Sequence, residues 1–248
     1  MRILVLNANT TAFVTETAAA EGRRVASPGT EIVPVTADFG AAIVATRTEH
    51  AIAEHAAVEL AARHAAGCDA VVIAVSYDSG LKALREMLPV PVVGMTEAAL
   101  LTACMLGGKI GLIGFGRRVW PIYRELVESY GLGGRIAGSR VLENTSAYKP
   151  GDYTALDAEL VATAQDLVEQ DGAESIILLG AVMAGASRRV EARAPVPVLD
   201  GMRCAIPQAE VLVRIGARKP TTGSYALPGE RAVSGLSDPL TRYLGKKS

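Results

Sequence analysis

Residues 68–81 read CDAVVIAVSYDSGL, and residues 173–186 read AESIILLGAVMAGA. Each is a short apolar run that breaks into a loop and then a helix start. The same order recurs around them. VPVVGM at 90–95 matches VPVLDGM at 196–202, give or take one residue, and RILVLN at 2–7 matches KIGLIG at 109–114. Three matches in one order imply that the chain is two similar halves. The physical consequence is a pair of open sheets related by a pseudo-twofold axis. Ligands of open α/β sheets bind at the C-terminal strand ends. Two such lobes can turn those ends toward each other and enclose a small substrate.

Outward from the repeats, apolar runs alternate with Ala-rich helical stretches. Strands are predicted at 3–6, 31–35, 70–75, 91–93, 109–113, 140–142, 175–179 and 196–199. Helices are predicted at 10–25, 49–66, 81–87, 97–105, 119–130, 153–170 and 202–215. This β-α alternation implies a mostly parallel sheet with right-handed crossovers in each lobe, the α/β class. The expected division is lobe 1 at 1–94 plus 207–248, and lobe 2 at 95–206. The tail after Ala217, rich in Gly, Pro, Ser and Thr, is expected to wrap one lobe.

Half of the 248 residues are hydrophobic and only 4% are aromatic, so Ala, Val, Leu and Ile must build the core. That composition suits buried parallel strands. A net charge of −1 favours neither a nucleic-acid nor an anionic-membrane partner. No apolar run reaches the roughly 18 residues of a membrane helix. The N-terminus reads as a first strand and lacks the features of a signal peptide. Cys68, Cys104 and Cys204 have no metal-like spacing, and His50, His55 and His64 share one helical stretch. These features point to reduced thiols in a cytoplasmic protein and argue against a zinc site.

Three loops at strand ends are placed to meet the cleft. In the first, Asn9, Thr10 and Thr11 end a strand and open a helix. Asn9 or Thr10 can cap that helix, and its free N–H groups suit a carboxylate or imide oxygen. The second, Ser76-Tyr77-Asp78-Ser79-Gly80, gathers a hydroxyl, a phenol and a carboxylate; Asp78 or Ser79 could alternatively only cap the helix that follows. The third, Gly180 and Ala181, offers backbone N–H groups and room. Ser76, Tyr77 and Asp78 are therefore the expected catalytic residues. Asn9, Thr10, Thr11, Ser79, Gly80, Glu97, Gly180 and Ala181 are the expected substrate contacts. Glu97 could equally just favour a helix N-terminus. Arg117 or Arg118 could pair with a substrate carboxylate or lie solvated. His50 could reach the cleft, and Tyr148 to Pro150 could form a lid.

VLNANTT, IAVSYDSGLKALRE, VPVVGMTEAA, DGAESIILLGAVMAG and TTGSYALP run nearly the whole length in order. On these segments the chain resembles the Asp/Glu/hydantoin racemase superfamily, and most of all its hydantoin and allantoin racemase branch. The resemblance implies a cofactor-independent isomerase of homo-oligomeric build, acting on a small carboxylate or cyclic amide. It also implies one cysteine at each of two pseudo-equivalent strand ends, one thiolate taking the α-proton and the other thiol returning one. The ungapped match puts Val75 and Gly180 at those positions, and a shift by one puts Ser76 and Ala181 there. Two-thiol racemisation is thus excluded, and a non-thiol, asymmetric acid/base site is expected. The alternatives are a lyase, decarboxylase or hydrolase using Ser76, Tyr77 and Asp78, and a non-catalytic binder of small acids.

Overall fold

The strands need no polar/apolar alternation because the central ones are covered on both faces. The structure, a computed structural model, describes residues 1–244. In chain order the first half contains β1 (Arg2–Asn7), α1 (Ala12–Val25), β2 (Glu31–Thr36), α2 (Arg47–His64), β3 (Ala70–Ile73), α3 (Leu81–Met87) and β4 (Val92–Gly94). A connecting helix, α4 (Met95–Cys104), leads to the second half. There follow β5 (Ile110–Phe115), α5 (Trp120–Ser129), β6 (Ile136–Leu142), α6 (Thr154–Asp171), β7 (Ser175–Leu178), α7 (Ala186–Val190), β8 (Val198–Asp200) and α8 (Gly201–Arg214). A short α9 (Asp238–Leu244) closes the described chain.

The two sheets have strand orders β2-β1-β3-β4 and β6-β5-β7-β8, with every neighbouring pair parallel. This is the expected α/β fold, repeated. Inner strands β1, β3, β5 and β7 are almost wholly buried, whereas edge strands β2 and β6 are half-exposed. In each sheet the order reverses beside its first strand, between β1 and β3 or between β5 and β7. Such a switch point leaves a crevice beyond the strand ends. The fold therefore prepares two crevices, one per lobe.

Two helices are exchanged between lobes. α4 follows a strand of the first sheet but packs on β5 and β7 of the second. α8 follows a strand of the second sheet and packs on β3 and β4 of the first, and α4 and α8 also pack on each other. A carboxylate caps each exchanged helix. Asp200 caps α8, accepting from Arg203 N–H at 3.1 Å, and also from Gly185 N–H at 3.1 Å and the Ser187 hydroxyl at 2.6 Å. The equivalent position before α4 is Gly94, and there Asp78 reaches across from its loop to accept from Thr96 N–H at 3.0 Å and Glu97 N–H at 2.9 Å. Gly94 must lack a side chain, since a Cβ would lie 2.5 Å from the Asp78 carboxyl carbon.

The tail lies along α2. α9 packs on that helix, and the Ser237 hydroxyl donates to Glu59 at 2.7 Å. Residues 245–248, the end of the expected lobe 1, lie outside the described residues. The sequence reading missed α9, because one seven-residue helix is hidden in a stretch dominated by Gly, Pro and Ser.

Candidate active site

The two crevices merge into one cavity of about 500 Å³ between the lobes. Its walls are the four inner strand ends: Asn9 beyond β1, Val75 to Tyr77 beyond β3, Phe115 and Gly116 at β5, and Leu179 to Val182 beyond β7. Val14, Ile43, Val44, Ala45, Val119, Tyr123, Thr145 and Tyr148 complete the lining. Among the described residues, no acidic, basic or histidine side chain lines this cleft.

The first-half wall is rich in hydroxyls. The Ser76 hydroxyl is hydrogen-bonded to the phenol of Tyr123 on α5, so the bond crosses from one lobe to the other. The Tyr77 ring lies against that of Tyr123, with centroids 4.6 Å apart. Burial pushes both phenols well above the ordinary value, so they stay protonated and can donate. Tyr148 packs on Phe115 at 5.1 Å and covers one side of the cleft. Beyond β7 the second-half wall, Leu179 to Val182, is backbone and aliphatic groups. Gly180 stands at φ 109°, a conformation that side chains rarely adopt, although a Cβ would meet nothing closer than 3.7 Å.

Five of the eleven expected site residues line the cleft: Asn9, Ser76, Tyr77, Gly180 and Ala181. Asn9 is held by the Asn7 side chain and accepts from Thr11 N–H at 2.9 Å. The other six are placed elsewhere, against expectation. Thr10 and Thr11 tie the helix start to a neighbouring loop, Thr10 N–H donating to Ala41 and the Thr11 hydroxyl to Ala42. Thr11, not Asn9 or Thr10, is the N-cap of α1, and its side chain makes no capping bond. Asp78 is turned away from the cleft. Besides the α4 amides it accepts from the Tyr130 phenol at 2.7 Å, and burial pushes its carboxyl up to about 7 against those three hydrogen bonds. It caps α4 rather than its own helix, whose N-cap is the left-handed Gly80. Ser79 is fully buried and bonded to His50 Nδ1 at 3.0 Å. Glu97 is held by Arg85 in a two-armed ion pair. His50, Asp78 and Glu97 line a separate polar cavity of about 450 Å³ behind Tyr77.

Arg117 pairs with Glu143 on the surface, and Arg118 lies outside the cleft lining. None of the three cysteines lines the cleft. Cys204 is buried in α8, with its thiol pushed up to about 12 by burial. Cys68 donates to the His64 carbonyl at the end of α2.

Sequence reasoning missed Tyr123 and Tyr130. They stand seven residues apart, two helical turns, Tyr123 within α5 and Tyr130 as its C-cap, so one side of this segment delivers both phenols to the Ser76–Asp78 loop. That spacing was the available signal.

The family description "Asp/Glu/Hydantoin racemase" matches residues 3–209. The chain belongs to this family. Hydantoin racemase of Paenarthrobacter aurescens is 32% identical over 234 residues, spanning 93% of this chain and 99% of that protein. Allantoin racemase from Pseudomonas fluorescens superposes with a TM-score of 0.89 at 38% identity, covering 95% of this chain and 100% of its own. Allantoin racemase from Klebsiella pneumoniae gives a TM-score of 0.90 at 31% identity, covering 97% and 98%. The relatives agree with the expected branch and with a racemase-class isomerase. The strand ends at Val75 and Gly180 nonetheless carry no thiol.

Proposed function

We propose that this racemase-family chain isomerises a small neutral cyclic amide of the hydantoin type at its α-carbon, using hydroxyl groups instead of thiols. The carrying observation is the uncharged lining of the cleft. A free amino acid or a malonate would need a cation to offset its desolvation, whereas a cyclic amide needs only hydrogen bonds. The same observation disfavours decarboxylase chemistry.

The ring sits between the two walls. Ser76 and Tyr77 donate to the carbonyl oxygen next to the α-carbon. As the Cα–H bond breaks, its electron pair moves onto that oxygen and a water molecule takes the proton. The open Gly180 face admits such a water. A second water on the opposite face gives a proton to the α-carbon, which restores the carbonyl with inverted configuration, and the proton held by the first water neutralises the hydroxide left behind. Nothing is oxidised or reduced. Preorganised donors of this kind lower the barrier by stabilising charge that develops only in the transition state. Asn9 and Ala181 border the ring. Asp78, Ser79 and Gly80 shape the loop, Glu97 supports it through its N–H, and Thr10 and Thr11 tie the start of α1 to Ala41 and Ala42.

The reading includes a cytoplasmic, homo-oligomeric enzyme with lobes at 1–94 plus 207–248 and at 95–206. Among the described residues no helix is long and apolar enough to cross a membrane, and α8 covering the first sheet supports that lobe division. Light scattering on the eluting protein tests the oligomer.

Deuterium uptake at the α-carbon, followed by proton NMR in D₂O, tests the function with 5-monosubstituted hydantoins, allantoin, glutamate and an arylmalonate. Exchange with the cyclic amides alone is expected. Exchange with glutamate, or calorimetric binding of hydantoins without any exchange, would overturn it, the latter in favour of a binder.

A further inference from the structure

The bond between Ser76 and Tyr123 joins groups that no local turn brings together. Ser76 follows β3 of the first lobe, and Tyr123 stands on α5 of the second. Both residues are nearly inaccessible, at 6% and 4% exposure, yet both border the cleft. Tyr123 is wedged between Tyr77 and Trp120, with ring centroids at 4.6 and 5.8 Å. Its ring is therefore held in place. Either hydroxyl can donate in this bond, and the arrangement in which the phenol donates leaves the Ser76 O–H free for a ligand. A serine hydroxyl without such a partner rotates among three staggered positions.

We infer that Tyr123 is a positioning residue of the cleft, fixing the Ser76 hydroxyl as a donor to the oxygen that carries the enolate charge. The inference rests on the cyclic-amide reading and adds to it a residue from the opposite lobe. A fixed donor gains more from a charged oxygen than from a neutral carbonyl. Losing Tyr123 should therefore weaken the enolate-like state selectively.

Titration calorimetry with two probes tests this. Barbiturate is a planar cyclic imide that is an enolate at neutral pH. 5,5-Dimethylhydantoin is neutral and has no α-proton. Tyr123→Phe is expected to weaken barbiturate binding about tenfold and to change dimethylhydantoin binding by less than about twofold. Ser76→Ala should do the same, and the double variant should lose no more than either single one. Where the wild type exchanges α-deuterium, kcat falls about tenfold in Tyr123→Phe with KM within about twofold. Ser76→Ala leaves the ring stack intact and carries the test alone if Tyr123→Phe does not fold. Equal weakening of both probes, no change in either, or losses that multiply in the double variant would overturn the inference while the cyclic-amide reading stands. If the wild-type protein binds neither probe, both fall.

Discussion

Replacing Asp78 with Asn should change how the protein's stability depends on pH. The Asp78 carboxyl is pushed from 3.8 in the unfolded chain to about 7 in the folded protein, mainly by burial. Between those values the folded protein keeps a proton that the unfolded chain has released. Raising the pH through this window therefore favours unfolding, and the loss is complete above about pH 7. A difference of about 3 pH units, at about 1.4 kcal/mol each, amounts to roughly 4 kcal/mol. Asn cannot titrate. It keeps an acceptor for Thr96 N–H, but the Oδ2 site that serves both Glu97 N–H and the Tyr130 phenol becomes an amide donor. That costs about 1–3 kcal/mol for an unpaired buried amide, at any pH. At pH 4 the wild type should be the more stable by this amount. By pH 8 the gap should have shrunk by up to about 4 kcal/mol and closed or reversed. Urea unfolding of both proteins at intervals from pH 4 to 8.5 reads the gap directly. A gap that stays constant would refute the argument. One that widens with pH would mean that the three hydrogen bonds outweigh burial.

Three further outcomes are expected. Gly94→Ala should cost at least about 2 kcal/mol in urea unfolding, because its Cβ meets the Asp78 carboxyl, and adding Asp78→Ala should recover part of the loss. Asp200→Ala strips the cap of α8 and leaves the Ser187 hydroxyl unpaired, so calorimetry should record a melting temperature lower by about 4–10 °C. Val75→Cys replaces one buried small side chain by another and should change stability by less than about 1.5 kcal/mol. Gly180→Cys forces a side chain onto a φ of 109° and should lose about 1–3 kcal/mol. Thermal melts of the two cysteine variants side by side decide this, and equal stabilities would count against the Gly180 argument.

The layout of the fold was legible because each inner strand is a continuous apolar run and each repeat restarts the same sequence of runs. Boundaries slipped by one to a few residues where a strand end and a helix start share small residues, as at Gly94–Met95. The cleft was legible as a place, since strand ends in a parallel sheet define it. The roles of individual side chains there were not. Asp78 looked catalytic because it sits in a polar loop, but its job depends on Gly94, sixteen residues away, where the second half has Asp200 instead. The one-residue slip between VPVVGM and VPVLDGM marked that exchange. Tyr123 stayed hidden because hydrogen bonds between lobes leave no local pattern. Only the seven-residue spacing to Tyr130 hinted that α5 offers one polar stripe to the other lobe.

The exchanged helices also bear on how such a chain could have arisen. A polypeptide of half this length would end with a helix that its own sheet cannot use, and its sheet would lack a cover. Two copies would satisfy each other by trading that helix. Joining them end to end would turn an intertwined pair into one chain while keeping every contact. The duplicated halves would then have been free to diverge, the loop after β3 keeping its hydroxyls and the equivalent loop after β7 keeping only backbone and aliphatic groups.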